Sequence, residues 1–143
     1  MPNKKASAVW NGNLKEGSGK INSESGVLDK AAFSFASRFE DKEQTNPEEL
    51  IGAAHAGCYS MALSNELHGA GHDSKSVDTK ATVTLDMVDG NPTITNIKLV
   101  AVADVPGLSD SEFQKIANVT KEACPVSRAL AGTDIKLEAS LIK

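Results

Sequence analysis

The sequence predicts an α+β domain, and three patterns predict it. Apolar residues alternate with polar ones in the first 40 residues and again between residues 77 and 105. A capped stretch rich in small residues, 46–67, predicts a long helix, and an amphipathic stretch, 109–123, predicts a second one. The resulting order is three strands, a helix, two strands, a helix and a strand. No linker or repeat divides the 143 residues, so we expect a single domain, residues 1–143.

The N-terminal part is predicted to contain three strands. Residues 6–14 and 16–24 are typical of a strand pair punctuated by glycines. In the segment "AFSFASRFE", Phe33, Phe35 and Phe39 share one parity, as a half-buried strand requires. Arg38 has the opposite parity. We therefore expect a third strand with Arg38 facing a polar surface or a cleft, away from the phenylalanines.

The long helix has a clear predicted start. Asn46 is suited to the N-cap, Pro47 to the first helical position, and Glu48 and Glu49 to the positive end of the helix dipole. An interior glycine costs about 1 kcal/mol relative to alanine, so glycines here favour close approach of another backbone. That backbone belongs either to the protein's own sheet or to the same helix of a second copy across a two-fold axis. The small residues are Gly52, Ala53, Ala54, Ala56, Gly57, Ser60 and Ala62.

The rest of the chain predicts strands around a second helix. Alternating apolar residues from 77 to 87 indicate a strand, "DGNP" a turn, and residues 93–105 the returning strand. Phe113, Ile116, Ala117 and Thr120 share one face of the second helix. Residues 126–130 predict a short helical piece, and residues 133–142 a last strand.

Composition disfavours several classes of function. The net charge is −4, no basic block occurs, and aromatic residues make up 4% of the chain, so nucleic acid and anionic membranes are not expected partners. No apolar run approaches the roughly 20 residues of a membrane span. The first residues lack the apolar core of a signal peptide, so we expect a cytoplasmic protein.

Cys58 and Cys124 are the candidate reactive groups. In a reducing compartment they begin as thiols, and a disulfide between them would be transient and catalytic or sensing. Taken alone, Cys58 is more typical of an inert small hydrophobe within its helix. If Cys124 caps a new turn that begins at Pro125, its sulfur faces free backbone N–H groups, which lower a thiol pKa.

The arginines are unusually few. Only Arg38 and Arg128 are arginines among the 15 basic Lys and Arg residues. Because lysine is the default surface cation here, an arginine indicates a place where a fixed fork of donors matters. A surface ion pair between Arg38 and Glu40 or Asp41 is the simpler interpretation.

At this point the sequence resembles a known family. The segments "TNPEELIGAAHAGCYSMALS" and "ACPVS" are similar to the two cysteine motifs of the OsmC/Ohr family of thiol-dependent hydroperoxide peroxidases. The likeness covers essentially the whole chain, including "SESGVL" and "SRFED". "CPVS" in place of "CPYS" indicates the OsmC branch. Gly57 and Tyr59 replace the Ala and Phe expected at these positions, a difference that affects the expected shape of the pocket.

The resemblance implies an OsmC-like intertwined homodimer, with antiparallel sheets wrapped around central helices and one site per subunit at the interface. It implies Cys58 as peroxidatic thiol, Cys124 as resolving thiol, Arg38 as activating arginine and Glu48 as the carboxylate that orients it. Organic hydroperoxides would be reduced to alcohols through a Cys58 sulfenic acid and a Cys58–Cys124 disulfide. No cofactor or metal is implied. An external dithiol, in this family usually a lipoyl-bearing protein, would reduce the disulfide.

Helix spacing adds one expectation. Glu48 and Cys58 are ten residues apart, about 15 Å along one helix, so they cannot meet directly in one chain. Either an extended Arg38 bridges them or the partner helix brings its own Glu48. We therefore expect at least one member of each site to come from the second chain.

The expected substrate pocket is apolar. An organic tail buried there gains about 25 cal/mol per Å², which favours an alkyl hydroperoxide over hydrogen peroxide. The residues expected to line it are Ile51, Met61, Phe35 and Phe39.

Other interpretations stay open. His55, three residues before Cys58, suggests a Cys–His hydrolase, although no orienting Asn or Asp stands at a telling spacing. His68 and His72 have helical metal-ligand spacing, but two glycines between them favour a solvated turn. The acidic charge disfavours a DNA-protecting protein. A non-catalytic carrier of small apolar ligands would use the same pocket, and peroxide-dependent loss of thiols separates it from the enzyme.

Overall fold

The computed structural model describes residues 1–142. These residues form six strands and four helices, in the order β1 β2 β3 α1 α2 β4 β5 α3 α4 β6, so the predicted α+β class is confirmed. The chain divides into two compact units, Met1–Leu50 and the part from Ile51 onward. Within residues 1–142, no helix combines the length and apolar character that crossing a membrane requires.

The first unit contains an antiparallel sheet in the order β1-β2-β3. Its strands are Ala6–Asn11, Ser18–Ser23 and Ala31–Phe33, so the predicted strand pair is confirmed. The rings of Trp10 and Phe33 pack 5.4 Å apart across the strand that lies between them. A Cβ atom on Gly19 would lie 2.4 Å from the Phe33 ring and 2.8 Å from the Trp10 ring. Glycine is therefore required where the two rings meet the sheet.

The predicted third strand is wrong beyond Phe33. Residues Phe35–Phe39 form the short helix α1, and Arg38 lies in its last turn rather than on a strand face. The Ser34 hydroxyl accepts a hydrogen bond from the Ser37 amide at 3.2 Å, and the Ser37 hydroxyl accepts one from the Ser34 amide at 2.9 Å. This reciprocal capping box starts the helix. Phe35 and Phe39 lie on the same face whether the segment is a strand or a helix, because a spacing of four residues fits the period of both elements.

Helix α2, Pro47–Gly69, begins as predicted. Asn46 Oδ1 accepts a hydrogen bond from the Glu49 amide at 2.7 Å, which satisfies a free N–H of the first turn. From Ile51 onward, one face of the helix is buried and the opposite face is exposed. His55, Tyr59, Leu63 and Leu67 are fully buried, whereas the opposite face is exposed in the single chain. That exposed face carries Ala53, Ala54, Gly57 and Met61.

The second unit contains a sheet in the order β4-β5-β6. Strands β4, Ser76–Val88, and β5, Asn91–Asp104, form the predicted hairpin. Asp89 and Gly90 have φ of 51° and 80°, as a two-residue type I′ turn requires. Strand β6, Asp134–Leu141, runs parallel to β5, so this sheet is mixed rather than purely antiparallel as expected. The chain connects β5 to β6 through two helices. A crossover connection of this kind is how neighbouring parallel strands are joined.

These two helices are α3, Asp110–Ala123, and α4, Pro125–Ala129. Phe113, Ala117 and Thr120 of α3 are buried, which confirms the predicted face. Together with α2 they cover the β4-β5-β6 sheet and enclose one apolar core that includes Cys124. The buried apolar residues of this core are Tyr59, Leu63, Leu67, Ile97, Leu99, Ala101, Ala103, Val105, Leu108, Phe113, Ala117 and Cys124.

Candidate active site

Two thiols that are 66 residues apart in sequence meet in the second unit. Cys58 lies on α2 and Cys124 at the junction of α3 and α4, and their Sγ atoms are 3.1 Å apart. Both cysteines are free; Cys58 is half-buried and Cys124 is buried. Since an S–S bond is about 2.05 Å long, the two sulfurs need to approach by only about 1 Å to form a disulfide.

Pro125 fixes the position of Cys124. Cys124 ends α3 by donating its backbone N–H to the Thr120 carbonyl at 2.9 Å, and it is also the N-cap of α4. The residue before a proline avoids the helical region, and Cys124 has φ −53° and ψ 126°. Pro125 occupies the first turn of α4, as predicted. The chain therefore bends at Cys124 and begins a new turn whose free N–H groups face the thiol.

The two thiols are shifted in opposite directions. Burial raises the pKa of Cys124, but the nearby amide and hydroxyl of Ser127, the Cys58 thiol and the Val126 amide favour its thiolate and outweigh burial, so that the Cys124 pKa is lowered. The reduced thiol itself makes no side-chain hydrogen bond to the cap N–H groups. Burial and the neighbouring Cys124 raise the pKa of Cys58, and the Val126 amide offsets this only in part. Under the influence of the groups in the second unit, Cys124 therefore has a lower pKa than Cys58.

The first unit holds an arginine–carboxylate pair. Arg38 Nη2 and Nε lie 2.9 and 3.0 Å from the same Glu48 oxygen, Oε1. Glu48 is 7% exposed, and its other oxygen, Oε2, is buried without a hydrogen-bond partner among residues 1–142. The Arg38 side chain is 38% exposed, and its guanidinium carbon lies 5.6 Å from the centre of the Phe39 ring. Glu48 thus fixes the guanidinium while donors remain for another group.

An apolar cavity of about 240 Å³ lies beside Arg38 in the first unit. Phe35 and Phe39, two of the four predicted pocket residues, line it with their rings 4.8 Å apart. The other two belong to the second unit, where Ile51 packs against the core and Met61 is 78% exposed. A single pocket formed by all four remains a prediction. The cavity is completed by Trp10, Leu14, Phe33 and Ser34.

One buried polar pair was not predicted from the sequence. His55 Nε2 lies 2.7 Å from Ser127 Oγ, and both side chains are buried. The hydrogen bond of His55 goes to Ser127, an arrangement that differs from the direct Cys–His contact of a hydrolase. Burial lowers the pKa of His55. The available signal was Ser127 itself, three residues after the cap Cys124, where side chains turn back toward an N-cap.

The other two histidines lie in a turn at the surface. His68 Nδ1 pairs with Asp73 Oδ1 at 2.5 Å, and this carboxylate raises the pKa of His68. In residues 1–142, no three His, Cys, Asp or Glu side chains are grouped so as to hold a metal ion.

Comparison with known proteins identifies the family. The family model described as OsmC-like protein matches residues 40–139. The peroxiredoxin OsmC of Escherichia coli (strain K12) is 50% identical over 127 residues, which is 89% of this chain and 89% of that protein. The chain belongs to the OsmC family.

The likeness extends to a second relative. The organic hydroperoxide resistance protein OhrB of Bacillus subtilis (strain 168) is 31% identical over 125 residues, 84% of this chain and 88% of that protein. The crystal structure of OhrB matches with a TM-score of 0.64 and 28% identity, covering 94% of this chain and 97% of that one. The predicted family and the α+β class of fold are thus confirmed, whereas the intertwined homodimer remains a prediction.

Proposed function

We propose that this OsmC-family protein is a thiol-dependent peroxidase that reduces organic hydroperoxides to alcohols. The observation that carries the proposal is the 3.1 Å separation of two free thiols, one of them buried and more acidic than the other. Such a pair is arranged for disulfide formation. Its similarity to a peroxiredoxin and to an organic hydroperoxide resistance protein supports the same chemistry.

In the first step, the Cys58 thiolate attacks the hydroperoxide oxygen that is distal to the organic group. The S–O bond forms as the O–O bond breaks, and the alkoxide leaves and takes the proton that Cys58 lost on ionising, which gives the alcohol. Cys58 is the thiol for this step because it is half-buried, whereas Cys124 is buried. The product on the protein is the Cys58 sulfenic acid.

In the second step, the Cys124 thiolate attacks the sulfenic sulfur of Cys58. The S–S bond forms, the S–O bond breaks, and the departing hydroxide combines with the proton that Cys124 has lost to give water. The lowered pKa of Cys124 suits this role, since the thiolate is the attacking species. An external dithiol, which we propose to be a lipoyl group on another protein, then reduces the disulfide by two thiol exchanges. No bound cofactor enters this cycle.

Arg38 and Glu48 complete the site in this proposal. Burial and Cys124 both raise the pKa of Cys58, so a nearby cation is needed to keep its thiolate. Glu48 holds the Arg38 guanidinium by one oxygen and leaves donors to face the thiolate and the developing alkoxide. The phenylalanine-lined cavity beside Arg38 would receive the organic tail.

The proposed working state is a homodimer in the cytoplasm. Between residues 53 and 61, the exposed face of α2 carries small residues and Met61, a surface that allows the same helix of a second copy to approach closely. In that assembly at least one member of each Arg38–Glu48–Cys58 site comes from the partner. Two free cysteines suit the reducing conditions of the cytoplasm.

Substituting Gly57 tests the dimer. A Cβ atom there meets nothing within 4 Å in the single chain, and a helix interior favours leucine over glycine. Gly57→Leu is therefore expected to leave a monomer folded but to weaken helix pairing. Sedimentation velocity should give twice the 15.0 kDa chain mass for the wild type and a larger monomer fraction for the variant.

Gly69→Leu is the matched control. Gly69 is the last residue of α2, has equally open space, and lies away from the small-residue face, so this variant should associate like the wild type. A Gly57→Leu protein that remains as dimeric as the control would contradict pairing through α2.

The peroxidase itself is tested by intact mass. The reduced protein is treated with one equivalent of tert-butyl hydroperoxide, and the wild type is expected to lose two hydrogens per chain as the disulfide forms. Cys124→Ser should instead gain one oxygen on Cys58, which dimedone traps. Unchanged mass with both thiols still titratable would reject the peroxidase and favour the non-catalytic carrier of small apolar ligands.

A further inference from the structure

The two thiols and the arginine–carboxylate pair leave the buried His55–Ser127 pair without a role. His55 lies on α2, one helical turn before Cys58, and Ser127 lies on α4, three residues after Cys124. Their hydrogen bond of 2.7 Å joins the two elements that carry the two thiols. Both side chains are at least nine-tenths buried, so this contact is made without competition from water.

The backbone places Ser127 at the helix position that faces the resolving thiol. With Cys124 as N-cap and Pro125 in the first turn, Ser127 is the third residue of α4, the position from which both amide and side chain face the cap. In the reduced protein the Cys124 side chain makes no hydrogen bond to the cap N–H groups. The amide and hydroxyl of Ser127 nevertheless lower the pKa of Cys124, so both lie where they can donate to its thiolate once it forms. Tyr59, another buried polar side chain of α2, does not compete, because its hydroxyl donates to the Ala117 carbonyl at 3.0 Å.

The number of available protons determines the direction of the hydrogen bonds made by His55 and Ser127. The Ser127 hydroxyl carries a single proton, so it donates either to His55 or to Cys124 but not to both. If it donates to the Cys124 thiolate, His55 must donate its Nε2–H to Ser127 Oγ. The neutral ring then has a bare lone pair at Nδ1, and Nδ1 is buried without a partner among the described residues. An unpaired acceptor of this kind costs less than an unpaired N–H donor.

We propose that His55 and Ser127 are positioning residues for the resolving thiol, His55 orienting the Ser127 hydroxyl so that its proton points at Cys124. The inference rests on the proposed peroxidase function and adds a specific device to its second step. The thiolate held in this way attacks the Cys58 sulfenic sulfur, the S–S bond forms as the S–O bond breaks, and hydroxide leaves with the proton from Cys124 as water. His55 and Ser127 return unchanged.

The test separates the two chemical steps in the full-length protein. Reduced protein is mixed with one equivalent of tert-butyl hydroperoxide, and samples are quenched with dimedone for intact mass. In Ser127→Ala, Cys58 oxidation should proceed within about twofold of the wild-type rate. Disulfide formation should slow roughly tenfold or more, because a hydrogen bond to a charged group is lost, and trapped sulfenic acid should accumulate.

Conservative variants distinguish orientation from mere packing. Ser127→Thr keeps the hydroxyl and His55→Gln keeps a donor near the position of Nε2, so both should resolve within about threefold of the wild type. His55→Phe removes the donor and should resemble Ser127→Ala. Wild-type resolution in Ser127→Ala, or equal slowing of both steps in all four variants, would overturn the proposal.

A second measurement does not depend on peroxide. In a Cys58→Ser background, the ultraviolet absorbance of the Cys124 thiolate at fixed neutral pH should be smaller with Ser127→Ala than without it. Equal absorbance would also overturn the inference. If the absorbance falls as expected while no protein, wild type included, is oxidised by the hydroperoxide, the peroxidase proposal fails and the positioning of Cys124 by Ser127 stands.

Discussion

Replacing Cys58 by serine is expected to reduce hydroperoxide turnover by roughly 10³-fold or more, the scale on which loss of a nucleophile acts. A serine hydroxyl is not ionised near neutral pH, and no second thiol takes over. Cys124 is the more acidic of the two, but it is fully buried. The measurement is the steady-state rate of hydroperoxide loss with a dithiol such as dihydrolipoamide as reductant.

The matched variant is Cys124→Ser, which removes the other sulfur of the same pair. It should consume about one equivalent of hydroperoxide per chain at nearly the wild-type rate and then stop or slow, because the Cys58 sulfenic acid has no resolving thiol. Retained turnover in Cys58→Ser together with loss of the first equivalent in Cys124→Ser would reverse the assigned roles.

Local signals in the sequence were enough to place both cysteines. Asn46 and Pro47 predicted the start of α2, and Pro125 predicted that Cys124 would cap a new turn; both are observed. These predictions succeed because caps and prolines act over a few residues. That Cys58 and Cys124 would pair came only through family resemblance, since 66 residues and a whole sheet intervene. The 3.1 Å separation of the free thiols was not predicted at all.

The errors have equally physical causes. Phe33, Phe35 and Phe39 satisfy the period of a strand, but Phe35 and Phe39 also satisfy that of a helix. The Ser34–Ser37 capping box decides in favour of the helix. The parallel pairing of β6 depends on how two helices pack in the crossover, which no local pattern encodes. His55 and Ser127 are 72 residues apart, and their hydrogen bond exists only after α2 and α4 pack.

The opposite pKa shifts of the two thiols set the central requirement of the proposed mechanism. A resolving thiol gains from a lowered pKa, and Cys124 has one. A peroxidatic thiol needs the same, yet burial and Cys124 raise the pKa of Cys58. The proposed mechanism therefore requires a cation near the Cys58 thiolate, and the cation we propose is Arg38. Its guanidinium is held by a buried carboxylate, one oxygen of which has no hydrogen-bond partner among residues 1–142.

Replacing Arg38 should therefore impair the first step strongly and leave the second nearly intact. We expect Arg38→Met to lower kcat/KM for tert-butyl hydroperoxide by about 10²-fold, since both thiolate and alkoxide lose their cation. Arg38→Lys should recover only part of this, because an ammonium cannot make the forked contact with Glu48. Arg128→Met is the control: it removes the only other arginine of the sequence, which is exposed on α4.

The pH profile identifies the mechanism behind that loss. Without Arg38, burial and Cys124 remain and both raise the pKa of Cys58, so the pH of half-maximal first-step rate must move upward. Glu48→Gln keeps an oxygen for the guanidinium but loses the charge, so a smaller shift in the same direction is expected. An unshifted profile in Arg38→Met would mean that another group ionises Cys58. Undiminished activity in a Glu48→Gln dimer would count against the orienting carboxylate alone, because Arg38 could then act without it.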